Sequence, residues 1–288
     1  MATLESVVSQ TKKPTEIIVS DNGSIDDTLE LVRRFQLENS CMNITLTSCA
    51  KPGAGPNRNH AVGASIGEIL AFLDADDIWE SNFLYELTDE SIPANYIRGA
   101  YARYINSSGR ILGQSNRSKD DDSARIEMMT AGTMPFLLSS WVMNRDTFVK
   151  LIGFDEAYVL AQDFEFLHRH LVAGGRIQVR RKILMSYTLH SQSETTLSHH
   201  LQRLTCRFIL DHDKNQKMTI HEYLQANSRN LSSRLKSKSD IYIREFVFNQ
   251  TSARVSRLDL LILAFCFSPI RFIRKIIRQR PNRIGDFK

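Results

Sequence analysis

Apolar positions along this chain alternate between two rhythms. Short continuous runs occur at Ile17-Ile18-Val19, at Ile44–Thr47 and behind Glu68 at Ile69-Leu70-Ala71-Phe72-Leu73. Runs of this length suit strands, and the third suits a strand buried on both faces of a parallel sheet. Between the first two, Leu29, Val32 and Phe35 recur at helical spacing, which predicts a helix over about 26–39. Residues 2–11 read as the second half of an amphipathic helix carrying Leu4, Val7 and Val8, ended by Pro14. Strand and helix in alternation predict a doubly wound α/β sheet, whose ligands gather at the carboxyl ends of its strands.

Further along, the pattern predicts a helix over 82–90, a strand at Tyr96–Asn106 and a hairpin through Ser107-Ser108-Gly109 into 110–113. It then predicts a strand at Leu138–Met143, a short helix at Arg145–Ile152, a turn at 153–156, a helix from Gln162-Asp163 to Gly174-Gly175 and a strand over 176–189. Residues 114–124 are polar and aperiodic, and read as a mobile loop near the acceptor side. Residues 195–254 read as helical and polar.

Chemistry gathers at predicted strand ends. Asp74, Asp76 and Asp77 arrive together after the Ile69–Leu73 run, and Asp21 ends the strand at Glu16–Ser20. Clustered carboxylates repel and lose hydration if buried, so a hard divalent cation with substrate phosphates is the natural counterpart, and a solvated acidic turn is the plain alternative. The glycine-rich loop Lys51–Asn59 runs into a helix starting near Pro56 with Arg58 beside it, a geometry that favours an anion; an ordinary helix entry with a solvated arginine fits equally well. Asp163 opens a helix, where a capping role competes with a chemical one. His190 follows a strand, as the acidic cluster does, so the two could converge.

Composition narrows the setting. The 288 residues, 42% hydrophobic and 24% charged, are those of an ordinary globular protein. Net charge is +5, yet residues 255–288 hold eight Lys or Arg against two Asp, which leaves the rest near neutrality and argues against a nucleic-acid-binding face. In that tail Ile270, Ile273 and Ile277 share one helical face and Arg271, Arg274, Lys275 and Arg278 the other, a pattern suited to an anionic membrane surface. A helix packed on the domain with its basic face in water remains the alternative. Four cysteines without zinc or redox spacing point to a reducing, cytoplasmic setting with no structural metal. Nothing reads as a signal peptide or a spanning helix.

The ordered set Ser-Gln-Thr-x-x-Pro-x-Glu-Ile-Ile-Val (9–19), Asp-Asn-Gly-Ser (21–24), Gly-x-x-x-Asn-Arg-x-x-Ala (53–61), Gly-Glu-Ile-Leu-Ala-Phe-Leu-Asp-Ala-Asp-Asp-x-Trp (67–79), Gly-Phe-Asp-Glu (153–156), Gln-Asp (162–163) and Tyr-x-x-His-x-x-Ser (187–193) resembles the family 2 glycosyltransferases of the GT-A fold. That resemblance implies a GT-A domain over 1–195 with a mixed doubly wound sheet; beyond it the residues themselves read as a helical appendage over 196–254 and the membrane-associating tail over 255–288. It implies an inverting sugar transfer from a nucleotide sugar to a hydroxyl of a glycan or lipid-linked acceptor, in cell-surface polysaccharide synthesis at the cytoplasmic face of a membrane. By the same resemblance Asp21 meets the base, Arg58 supports base or diphosphate, Asp74 lies near the ribose, Asp76 binds Mn²⁺ or Mg²⁺ with Asp77 assisting, His190 reaches the diphosphate or metal, and Asp163 is the catalytic base.

Two departures from the family pattern stand out. Gln162 takes the place of the usual Glu before the base, and the sequence starts inside the helix that normally follows a first hydrophobic strand and its Pro-x-Tyr-Asn-like turn. The second departure gives an expectation of exposed neighbouring edges and weaker base contacts, whether from a late start or a truncated, weakened copy. Two rival readings stay open: a non-catalytic nucleotide-sugar-binding module, and a phosphohydrolase using Asp74 or Asp76 as nucleophile, for which no convincing later Lys and acidic pair is found.

Overall fold

The computed structural model describes residues 1–115, 120–190 and 194–212. A first compact unit runs from Met1 to Gln216. Its elements in order are α1 (Ala2–Val8), β1 (Ile17–Asp21), α2 (Thr28–Glu38), β2 (Ile44–Ser48), α3 (Ala54–Ala64), β3 (Ile69–Ala71), β4 (Ile78–Trp79), α4 (Phe83–Thr88), β5 (Tyr96–Asn106) and β6 (Ile111–Gln114). They continue with α5 (Asp121–Ala131), a 3-10 turn (Leu138–Ser140), β7 (Val142–Asn144), α6 (Arg145–Lys150), α7 (Gln162–Val172), β8 (Arg176–Leu189) and α8 (Glu194–His212).

The strands form two sheets. β1 and β2 pair in parallel from Ile17↔Ile44 to Asp21↔Ser48. The larger sheet has the order β3-β7-β5-β8-β4, with β6 paired to β5. Only β5 and β8 are parallel there; the other pairs are antiparallel. Among the described residues no strand lies between β1 and β3, so each has one unpaired edge. Glu16 bridges part of the interval, its Oε1 accepting from the amides of Ile66 and Gly67, both at 2.7 Å.

The expected two-sided burial of Ile69–Leu73 is corrected by this topology. β3 holds three residues at a sheet edge, with Leu70 buried and Ile69 and Ala71 exposed. The expected strand over 138–143 begins later, because Leu138–Ser140 form a 3-10 turn that delivers Ser139 and Ser140 to buried positions. Part of the expected loop over 114–124 is helix: Asp120 caps α5, accepting from Ser123 N at 2.6 Å, so acidic residues that read as a solvated tract are a helix start. Residue 195 lies near the start of α8, which packs on α7. Most of the helical appendage and the whole basic tail lie outside the described residues. No described helix is long and apolar enough to cross a membrane.

Two apolar groups hold the strand ends in place. One joins Val7, Ile17, Trp79, Phe83, Leu87, Ala100, Val142 and Met185, with the Trp79 and Phe83 rings stacked at 4.1 Å. The other is aromatic: Phe72, Phe148, Phe154 and Phe166 lie with ring centroids 5.2–5.7 Å apart, and Trp141 follows 6.0 Å from Phe166. Burying each such ring contributes roughly 1.5–3 kcal/mol. This second group fixes β3, α6, the 153–156 segment and α7 to one another, and so sets the framework of the site. Gly99 in β5 is needed beside it, since a Cβ there would lie 2.2 Å from Phe136 Cγ.

Candidate active site

The turn after β3 shares out its three carboxylates. Asp77 N donates to Asp74 O at 3.1 Å, closing a four-residue turn that points the side chains in different directions. Asp74 Oδ1 accepts from Arg58 Nη2 at 2.6 Å, and Asp76 Oδ2 lies 2.9 Å from His190 Nε2. Asp74 and Asp76 remain partly open to solvent. Asp77 turns inward, and its side chain accepts from the Ser139 hydroxyl and from Thr188 N at 3.1 Å.

Asp77, expected to assist Asp76 and the donor, is fully buried in this structure. Its Oδ2 has no hydrogen-bond partner among the described residues, and burial raises the pKa to about 7. What Asp77 does is hold β8. With the Thr188 hydroxyl donating to Asp76 O, it ties the acidic turn to the strand that ends at His190.

At the end of β1, Asp21 accepts from Gly23 N at 2.9 Å and Ser24 N at 3.1 Å. A hydrogen bond from the Ser24 hydroxyl is the main reason its carboxyl titrates below the usual range, with burial opposing and the two amides adding to the lowering. Asn22, within the Asp-Asn-Gly-Ser turn, stitches the glycine-rich loop: it donates to Cys49 O and Lys51 O and accepts from Gly53 N, at 2.8–2.9 Å. α3 then carries two consecutive side chains in two directions, Arg58 toward Asp74 and Asn59 toward Phe154. The solvated-arginine alternative for Arg58 is not what the structure shows.

Asp163 is the second residue of α7, half-buried, and Ala161 occupies the capping position without a side-chain bond. The capping alternative for Asp163 is thus met in part, from within the first turn of the helix and not from the formal cap position. Its Oδ1 accepts from Phe164 N at 2.8 Å, and burial pushes its pKa up, with Arg58 pulling down and Asp74 pushing up. The carboxyl therefore feels the Arg58–Asp74 pair directly. α8 adds Cys206, a partner with no sequence signal, whose thiol is pushed up to about 12 by burial and by Asp163.

Asp74, Asp76, Arg58, His190 and Asp163 are thus linked by contacts or mutual fields, whereas Asp21 is tied by its own turn to the β1–β2 side. Among the described residues no group of three or more His, Cys, Asp or Glu is arranged to hold a metal. Asp76 and His190 form a two-residue set, a carboxylate oxygen and an imidazole nitrogen, that fits a divalent cation whose remaining positions are filled by phosphate and water.

The glucosyltransferase WfaP of Escherichia coli, described as a UDP-Glc:alpha-D-GlcNAc-diphosphoundecaprenol beta-1,3-glucosyltransferase, is 35% identical over 99 residues, covering 33% of this chain and 38% of that protein. An uncharacterized glycosyltransferase of Methanocaldococcus jannaschii is 24% identical over 221 residues, 74% of each chain. The chain spans 26%, 38% and 53% of the lengths of three curated relatives it matches. Among solved structures, the mannosyltransferase PcManGT from Pyrobaculum calidifontis in complex with GDP-Man and Mn²⁺ superimposes with a TM-score of 0.55 at 16% identity, over 96% of this chain and 74% of that one. Its fold, like that of this chain, is the GT-A fold. The sequence profile described as Glycosyl transferase family 2 matches residues 2–150, more than half of the chain, and the protein belongs to that family.

Proposed function

We propose that this protein is an inverting, metal-dependent glycosyltransferase that moves a sugar from a nucleotide-sugar donor to a hydroxyl of a glycan or lipid-linked acceptor, in cell-surface polysaccharide synthesis. The observation that carries the reading is the joining of four chain segments: the Asp76–His190 contact, the Arg58–Asp74 pair and the influence of that pair on Asp163.

Each residue has a part. Asp76 and His190 hold Mn²⁺ or Mg²⁺, which when bound supplies positive charge against the leaving diphosphate. Asp74 lies by the ribose, and Arg58 steadies Asp74 while adding positive potential for phosphate. Asp21 borders the base pocket through the turn it holds. Asp163 takes the proton of the acceptor hydroxyl as that oxygen bonds to the anomeric carbon; the bond from that carbon to the diphosphate oxygen breaks, and configuration inverts. A carboxyl raised by burial is a stronger base than an exposed one, and Arg58 favours its ionised form.

The relatives' lipid-diphosphate acceptors and the basic amphipathic pattern of 255–288 support work at the cytoplasmic face of a membrane, with residues 1–195 as the catalytic domain and 196–254 as a helical extension. A second reading, a nucleotide-sugar-binding protein without transfer, draws on the unpaired β1 and β3 edges and the self-bonded Asp21. A panel of radiolabelled nucleotide sugars, assayed with Mn²⁺ and membrane lipid extract, separates the two. Transfer lost in Asp163→Ala supports the enzyme; nucleotide binding with no transfer by the unaltered protein supports the second.

A further inference from the structure

Resting on that assignment of Asp163, we infer that Asn59 is a positioning residue, which sets the base helix α7 against the acidic turn by gripping the segment Ile152–Ala161. Three observations converge on this segment.

First, Asn59 makes a two-way bond to its main chain. Phe154 N donates to Asn59 Oδ1 and Asn59 Nδ2 donates to Phe154 O, both at 2.9 Å, and the same Nδ2 reaches Glu156 Oε1 at 3.1 Å. Glu156 is itself paired with Lys51 of the glycine-rich loop. The approach needs Gly153, where φ is +69° and a Cβ would lie 2.6 Å from Asn59 Oδ1.

Second, the segment begins and ends on left-handed residues that are not glycine, Ile152 at φ 63° and Ala161 at φ 57°. A β-branched residue there costs on the order of 1–3 kcal/mol and persists only where its surroundings enforce it. Arg169 of α7 enforces the first bend. Its guanidinium donates to Leu151 O and, at 2.9 Å, to Gly153 O, while Glu165 holds the same group at 2.7 and 2.8 Å. The second bend falls directly before Gln162-Asp163.

Third, α3 reaches both sides through neighbouring residues. Arg58 bonds Asp74 and Asn59 bonds Phe154, while Gly55 in the preceding turn faces Phe154 and Gln162, close enough that an added Cβ would touch their Cβ atoms at an ordinary contact distance of 3.6 and 3.8 Å. The spacing between the acidic turn and the first turn of α7 is thus set by two successive side chains of one helix. Solvent could satisfy the Phe154 main chain as well as Asn59 does, so what the contact adds is placement.

The test uses Asn59→Asp in the full chain. The substitution keeps size and the acceptor from Phe154 N, but sets a carboxylate oxygen against Phe154 O and Glu156. Amide hydrogen exchange should quicken at least tenfold over residues 153–165 while peptides covering 74–77 stay within twofold of the unaltered protein. Adding Glu156→Gln, which restores a donor opposite the new carboxylate, should recover part of that protection. In transfer assays kcat should fall 10- to 100-fold with the donor KM within about twofold. Faster exchange confined to 153–156, with the start of α7 unmoved, would overturn the inference, as would exchange that rises throughout the domain together with a proportional loss of donor binding. The exchange measurement needs no turnover, so an unaltered protein that transfers nothing would defeat the enzymatic reading while still deciding this one.

Discussion

The acidic turn and the start of α7 treat carboxylates in opposite ways. In the turn, three acids within four residues are each given a different fate: Asp74 an arginine, Asp76 a histidine, Asp77 a buried niche between Ser139 and Thr188. At α7 a single acid stands half-buried, bonded to the amide that follows it, with its proton affinity raised. On the proposed assignment the first arrangement keeps negative charge available for a cation, and the second keeps one carboxylate ready for a proton. Removing members of each should therefore produce different defects.

The largest effects come from Asp76→Ala and Asp163→Ala. Each should lower transfer by about 10³-fold or more, within the range expected for losing a metal ligand or a general base. Only Asp76→Ala should also abolish cation-dependent nucleotide binding, and isothermal titration with and without Mn²⁺ checks that split. Next is pH. Because the Asp163 pKa is raised above its ordinary 3.8, kcat should fall on acidification at a pH above that value, as the base takes up its proton in the folded enzyme. A kcat profile whose acid limb sits at or below 3.8 would remove Asp163 from the base role.

Arg58→Ala should be smaller. A charge-assisted hydrogen bond contributes roughly 1.5–3 kcal/mol, so donor KM should rise about 10- to 100-fold, with Arg58→Lys retaining part of the loss. Smallest for transfer, and most telling for the contrast, is Asp77→Asn. Asp77 titrates near 7 in the folded protein against 3.8 ordinarily, so between those values the folded state holds a proton that the unfolded chain has lost. Its contribution makes stability fall as pH rises from about 4 to about 7, by at most about 1.4 kcal/mol per pH unit, and leaves it level above that. Asp77→Asn should flatten this slope in melting curves taken across the window, with transfer changed less than tenfold.

Much of this was legible in the sequence because charge and period act locally. The strands at Ile17 and Ile44, the helix over Leu29, Val32 and Phe35 and the close approach of His190 to the acidic turn follow from patterns that neighbours do not override. The edge position of β3 was not legible, since an apolar run reads the same whether one flank or two are paired, and pairing is decided by the distant β7. α5 was hidden because Asp120–Asp122 suit both a helix start and a solvated loop until Ala124 and Met128 find their burial. Asp77 shares its residue type with Asp74 and Asp76, and only Ser139 and Thr188, 62 and 111 positions away, distinguish it. Asn59 carried no signal because its partners are main-chain atoms of Phe154, which a sequence does not display.

The most direct test of the account is the melting temperature of the unaltered protein, Asp76→Ala and Asp163→Asn with a nucleoside diphosphate, in the presence and absence of Mn²⁺. The unaltered protein and Asp163→Asn should both be stabilised only when nucleotide and Mn²⁺ are present together, and Asp76→Ala by neither. Equal stabilisation of Asp76→Ala would contradict the assignment of the cation and diphosphate to the acidic turn.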